Sequence, residues 1–463
     1  MKAFMDKDFL LNSETASKLF YEYANECPII DYHNHLSPKD IYNRRKCENL
    51  TQLWLETDHY KWRAMRVCGV DEKYITGSAS EWEKFLAFAT ILPRLIGTPV
   101  YHWAHLELRR YFGIETVLTQ ETAKEIWDKT STMLKGDGFN TVSLLNRMNV
   151  KVLCTTDDPV DSLEWHLKLA ADNIEFKTLP SFRPDRFIHI DAHTTWEKAI
   201  KELGLRYGEI TDWESLKLAL IKALDFFVEV GCRVTDHSLS IFRYACGNPE
   251  IVVAKALKGE VLSDEEVAIY EGALLRFLAE EYAQRDLIMQ LHLGPIRNNS
   301  PKLMEYYGVD AGGDSIGSLT SPELLSAFLS DMEADNNLPK TILYNLNPAD
   351  SAMLATMAVN FASNGAKVQY GAAWWLLDHI RGINAQLDQL METGLLSGSV
   401  GMLTDSRAFT SFVRHEYYRR ILCNKIADLV EDGQYPYDLD TLGKMIENIC
   451  WKNAVQYFGF TCK

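Results

Sequence analysis

Short apolar runs recur along the chain, separated by longer amphipathic segments. That alternation predicts a parallel sheet with crossover helices. Runs at 28–35, 150–157, 178–183, 232–237, 287–293, 341–346, 367–373 and 401–406 read as strands. Eight is the number that closes a parallel barrel, whose active site sits at the C-terminal ends of the strands. Those ends are chemically rich here: His33 and His35, Asp157 and Asp158, Arg183, Asp236 and His237, His292, Asn345 and Asn347, Trp374 and Trp375, then Asp405 and Arg407.

Strands one and two are separated by more than a normal βα connection. Segment 38–148 instead has helical periodicity, clearest at 101–112, where Gly113 closes the helix. The expected organisation is a barrel catalytic domain from 1–37 and 149–463, with a mainly helical insertion at 38–148 covering the C-terminal rim. Gly312–Gly317 reads as a flexible or lid-like loop. At 463 residues the chain is long for one core, but a barrel with insertions reaches that size as one unit.

Hydrophobic residues at 47% and charged residues at 24% are ordinary for a globular protein with a large core. The net charge of −16 excludes a general nucleic-acid surface, since no basic excess neutralises phosphates. Nine scattered cysteines, with no Cys-x-x-Cys pair, indicate neither a disulfide framework nor a thiolate zinc site. A reduced, cytoplasmic setting is expected. No signal peptide is expected at the N-terminus and no stretch is long enough to span a membrane. There is no P-loop and no Gly-rich dinucleotide fingerprint, so no nucleotide cofactor is expected.

The candidate chemistry gathers at the strand ends. Side chains two apart on a strand share a face, so His33 and His35 can converge on one ion. Read alone, the pair can equally be surface or packing histidines. Asp405 would face the same centre; two His and one Asp make a mononuclear site with open positions. Otherwise Asp405 caps a helix starting near Ala408. His292 is a fourth ligand, a hydrogen-bond donor to substrate, or a core histidine bonded to backbone. Arg407 shares the face of Asp405 and is either its ion-pair partner or a stabiliser of a developing oxyanion. Arg183 offers a planar fork to an acidic substrate, unless Asp185 or Asp161 takes it.

The insertion adds Asp58, His59, Tyr60, Lys61, Trp62 and Arg63, a run dense in donors and aromatics. His102 and His105 lie one helical turn apart and are expected to pack with Trp103. Trp374 and Trp375 read as core or pocket wall. His415-Glu416 has Arg419 where a zincin motif needs histidine.

Taken together, His33-Asn34-His35, the 58–63 run, Ser181-Phe182-Arg183-Pro184-Asp185, 290–294, Arg297-Asn298-Asn299, 371–375 and Thr404-Asp405-Ser406-Arg407 resemble the uronate isomerase family of the amidohydrolase superfamily. The resemblance runs to the 411–417 segment, essentially the whole chain. It implies an α/β fold, a distorted (β/α)8 TIM barrel of the metal-dependent hydrolase type with a helical insertion after strand one. Metal ligands from strands one, five and eight fall on His33, His35, His292 and Asp405. The superfamily's bridging lysine on strand four and its histidine on strand six are absent; Arg233–His237 and Tyr344–Asn347 stand there. One divalent metal ion is therefore expected, zinc by preference, and turnover need not require it.

The implied activity is reversible conversion of D-glucuronate to D-fructuronate and of D-galacturonate to D-tagaturonate, in glucuronate catabolism. This aldose–ketose isomerisation moves a proton from C2 to C1 through a cis-enediolate. Asp405 is expected to shuttle it, Arg407 and His33 or the metal to stabilise oxygens, and His59 with Tyr60 to handle hydroxyl protons. Substrate contacts are expected from Arg183, Arg407, Tyr60, His292 and Trp374, in a homo-oligomer with no nucleic-acid or membrane partner. The close alternative is a metal-dependent hydrolase of the same superfamily, in which Asp405 activates a metal-bound water. A sugar-acid or metal-binding protein without catalysis is the distant one.

Overall fold

The computed structural model describes residues 2–362 and 367–461. Among the described residues ten strands are found: β1 Ile29–Asp31, β2 Val150–Cys154, β3 Lys177–Leu179, β4 Ser181–Phe182, β5 Val234–Leu239, β6 Ile288–Leu293, β7 Pro295–Ile296, β8 Ser315–Ile316, β9 Thr341–Asn345 and β10 Val368–Tyr370. β1, β2 and β3 form one parallel sheet, and β4, β5, β6, β9 and β10 another. β3 and β4 are one predicted strand, interrupted at Pro180, which has no N–H to give a ladder. A parallel bridge between Asp157 and Phe182 carries the barrel across that break.

The predicted eighth strand, 401–406, forms no regular ladder. Gly401 (φ +74°) and Asp405 (φ +47°) both adopt left-handed backbone, which a strand does not tolerate. Side chains do part of the ladder's work instead. Thr404 N–H donates to Asp31 Oδ1 at 3.0 Å and Val400 N–H to Gln369 Oε1 at 3.2 Å. Backbone bonds survive where the segment meets β1: Asp405 N–H to His33 O at 3.1 Å and His35 N–H to Ser406 O at 2.8 Å. The barrel is closed and distorted.

Its interior is filled by Ile30, Val152, Val234, Ile288 and Ile342, with Tyr32 and Tyr344 above them, all buried. Each such side chain stabilises the fold by roughly 1.5–3 kcal/mol through lost apolar hydration. A second, larger core joins the outer faces of the strands to the helices, including those of 38–148. That segment contributes the helices Pro38–Tyr42, His59–Val67, Glu81–Ile91, Pro99–Phe112, Ala123–Leu134 and Thr141–Arg147. Pro99–Phe112 ends at Gly113, left-handed at φ +62°, as its sequence predicts.

The long helix Val413–Glu431 is buried along most of its first half, charged residues included. Gly312–Gly317, expected to be flexible, is instead tied down. Ser315–Ile316 pairs antiparallel with Pro295–Ile296, Arg63 donates to Asp314 O at 2.5 Å, and Arg66 donates to Ala311 O. The eight cysteines among the described residues are free thiols; Cys462 lies outside those residues. No described helix is long and apolar enough to cross a membrane.

Candidate active site

A cavity of about 700 Å³ opens at the C-terminal ends of the strands. His33, His35, Arg183, His292, Trp374, Asp405 and Arg407 reach its wall, with His59 from the insertion. The strand pattern therefore brings nearly all of the expected residues to one place. Tyr60 is the exception: it lies behind the wall, its ring stacked on His59 at 4.9 Å. Asp58 sets both, because its carboxylate caps the helix His59–Val67 through the N–H groups of Tyr60 and Lys61.

Asp405 is the centre of the site. Its Oδ1 lies 3.2 Å from His33 Nε2 and 3.0 Å from His35 Nε2, and its Oδ2 accepts from Trp374 Nε1 at 3.0 Å. The capping alternative does not hold: the helix starts at Val413, and Ser406 Oγ accepts the Ala408 N–H at 3.0 Å. Burial pushes the Asp405 carboxyl up, but hydrogen bonds from the two imidazoles outweigh it and hold the group well below the usual range. Burial pushes His35 down to about 4, so its imidazole is neutral.

A second carboxylate, Asp236 on β5, went unassigned in the sequence. It is fully buried, with Oδ1 2.7 Å from His292 Nδ1 and Oδ2 3.1 Å from Arg183 Nη1 and 3.8 Å from His33 Nδ1. Burial opposes its charge, and the Arg183 guanidinium with His33 and His292 more than restores it. The available signal was a carboxylate inside a strand whose six residues are all buried, since such a charge must be paired.

Two donor triads result, and His33 belongs to both: His33–His35–Asp405 and His33–Asp236–His292, each with ligand atoms within 4.8 Å of one another. His292 thus groups with Asp236 rather than with Asp405. His33 Nδ1, His292 Nε2 and both Asp236 oxygens are buried without a well-aligned hydrogen bond. Nitrogen and oxygen donors so arranged fit a divalent cation, best at His33–His35–Asp405, since Asp236 already faces the Arg183 guanidinium. A third cluster, His189–Asp191–Glu271, already holds a cation, since Arg243 Nη1 lies 3.1 Å from both carboxylates.

Arg183 keeps both of its readings. Nε donates to Asp185 Oδ2 at 2.7 Å and Nη1 meets Asp236, while the guanidinium still lines the cavity; Asp161 is not its partner. Arg407 Nη2 donates to Asp310 Oδ2 at 2.9 Å, so its ion pair is with the 297–314 segment and not with Asp405. Arg297, from the same segment, lies 4.8 Å over the Trp375 ring and donates to Ser238 Oγ at 2.7 Å. Asp310 escaped a reading by strands, and Arg297 entered only through the resemblance, because the segment between β7 and β8, not a strand, delivers them. His102 and His105 pack: they meet the Tyr417 hydroxyl at 3.2 Å and Tyr101 O at 2.7 Å.

The sequence model of the family described as glucuronate isomerase matches residues 1–458. A uronate isomerase of Caldicellulosiruptor bescii is 47% identical over 469 residues, covering 99% of this chain and 100% of the relative. One from Caldanaerobacter subterraneus subsp. tengcongensis is 47% identical over 468 residues, with the same coverage. The crystal structure of a uronate isomerase from Thermotoga maritima superposes with a TM-score of 0.93 at 35% identity, covering 99% of this chain and all of that one.

Proposed function

Since the chain belongs to the glucuronate isomerase family, we propose a mechanism for its aldose–ketose isomerisation of uronates in which Asp405 carries the proton. The hydrolase alternative falls away, because the full-length relatives are isomerases. One observation carries the mechanism. A buried carboxylate faces a cavity of about 700 Å³ together with two arginines, Arg183 and Arg407.

A uronate brings its own carboxylate. Arg183, with Nε and Nη1 engaged, presents the rest of its fork to that group. The sugar's C2 then lies against Asp405, which removes the proton there and returns it at C1. The negative charge of the cis-enediolate is met by Arg407 and by His33, donors fixed in place before the reaction. His59, whose ring nitrogens have no partner among the described residues, serves the hydroxyl protons, and Tyr60, stacked behind it at 4.9 Å, holds its ring. Trp374 holds the second oxygen of Asp405 and walls the cavity, and His292, its ring 4.5 Å from that of Trp374, meets substrate beside it.

His33, His35 and Asp405, with His292 nearby, would hold one divalent ion, and zinc suits that nitrogen-and-oxygen set. Such an ion supplies orientation and polarisation of substrate oxygens. Residues 1–37 and 149–463 are read as the catalytic domain, with 38–148 as its cover. The free thiols agree with a cytoplasmic protein, and the assembly is read as a homo-oligomer.

The direct experiment is incubation with D-glucuronate and with D-galacturonate, scored for ketose with and without a chelator. Ketose from either sugar is expected. A chelator-treated enzyme that still turns over would confine the metal to orientation; uronate binding without any ketose would sink the proposal.

A further inference from the structure

Thr404, the residue before Asp405, is held at three polar groups by two side chains. Its N–H donates to Asp31 Oδ1 at 3.0 Å and its hydroxyl to Asp31 Oδ2 at 2.5 Å. Its carbonyl accepts from Arg414 Nη1 at 3.0 Å. Asp405 itself sits at φ +47°, a left-handed conformation that a residue with a Cβ keeps only when its surroundings over-determine it. Asp31 and Arg414 supply that determination.

Arg414 does a second thing with the same group. It is 1% exposed, and its guanidinium carbon lies 3.9 Å from the Trp103 ring centre and 4.6 Å from that of Tyr60. The Tyr60 hydroxyl is buried with no hydrogen-bond partner among the described residues, so packing against the ring's faces sets its position. One planar cation therefore touches both the backbone that aims Asp405 and the ring that backs His59. Arginine suits this place because it stacks on aromatic faces while its edge donates hydrogen bonds; a lysine ammonium is a single point.

We propose that Arg414 is a positioning residue for the proton transfer, a clamp that holds the Asp405 backbone and the Tyr60 ring in register with each other. The proposal rests on the roles given above to Asp405 and Tyr60. Arg414 touches no substrate; it acts through Thr404 and Tyr60.

The chain contains its own control. Arg420 lies on the same helix, is 2% exposed, stacks on Phe20 at 4.2 Å and donates to the carbonyls of Lys7 and Phe9. It shares burial, aromatic stacking and a hydrogen bond to a backbone carbonyl with Arg414, is paired besides with Glu416 at 2.8 Å, and does not line the cavity. Arg414→Lys is expected to lower kcat and the rate of C2 proton exchange by about 10- to 100-fold with KM held within about 3-fold, because a displaced reacting group costs rate rather than binding. Arg420→Lys is expected to lower Tm comparably and leave kcat within about 2-fold of wild type.

Equal kcat losses in the two variants, or a wild-type kcat in Arg414→Lys, would overturn the clamp. Should Arg414→Lys fail to fold, Asp31→Asn reads the same clamp from its other end: a loss confined to kcat supports it and an unchanged kcat overturns it. Asp405→Asn run alongside separates the two levels. Wild-type exchange in that variant removes the reading beneath the clamp and the clamp with it, whereas an inactive Asp405→Asn beside an unaffected Arg414→Lys overturns the clamp alone.

Discussion

Arg183 Nη1 stands 3.1 Å from Asp236 Oδ2, and that carboxylate is fully buried. The arginine is thus both a substrate contact by position and the counter-ion of a charge that cannot reach water. The two duties predict different losses. Arg183→Ala should raise KM for a uronate about 10- to 100-fold, the value of a charge-assisted hydrogen bond. It should also cost roughly 3–5 kcal/mol of stability, since Asp236 is left with a buried, poorly compensated charge. Adding Asp236→Asn removes that charge, so the double variant should recover much of the Tm while KM stays high. A KM that recovers together with Tm would assign Arg183 to structure alone.

Asp405 can be tested by isotope exchange. In D₂O the wild-type enzyme should wash deuterium into C2 of the uronate, followed by NMR. Asp405→Asn keeps the shape and removes the base, and exchange should fall about 10²- to 10⁴-fold, the usual worth of a positioned general base. Exchange at the wild-type rate in the variant would take the shuttle role away from Asp405.

These predictions show which parts of the site the sequence reveals. His33, His35, His292, Asp405 and Arg183 were legible because each follows an apolar run, and a parallel barrel collects strand ends at one rim. The interruption at Pro180 was also within reach, as proline has no N–H for a ladder. Asp236 was harder. Its meaning comes from His33, His292 and Arg183, three residues on or just past the ends of other strands that only the register brings within 4 Å. The missing ladder at 401–406 was beyond local pattern, because it depends on Asp31, far away in the chain, accepting from Thr404. The 312–317 loop reads as mobile from its glycines, yet Arg63 and Arg66 of the insertion fasten it.

Gly401 measures how firmly that irregular segment is packed. A Cβ there would sit 2.3 Å from Ile449 O, at φ +74°. Gly113 has a similar φ of +62° and nothing within 4 Å. Gly113→Ala should therefore cost only backbone strain, about 1 kcal/mol. Gly401→Ala adds a clash with backbone and should cost roughly 3 kcal/mol or more. Urea midpoints at constant m-value decide it; equal losses would mean that the Ile449 carbonyl gives way.

His189, which also lines the cavity, predicts a pH dependence of stability. Burial alone would lower its pKa, but a hydrogen bond with Glu271 and the charges of Asp185 and Glu271 overcome that and raise it to about 9. Arg243, paired with the same Glu271 and with Asp191, is the opposing cation nearby. The folded value thus exceeds the unfolded one of about 6.5, and the native state binds the extra proton between the two. The stabilisation is fully present below pH about 6.5 and is lost as pH rises through about 9, a difference of roughly 3 kcal/mol. His189→Gln cannot gain that proton. Its Tm should lie below the wild-type value at pH 6 and converge on it near pH 10, so a Tm gap that stays constant across this range would show that the imidazole is not charged in the folded protein.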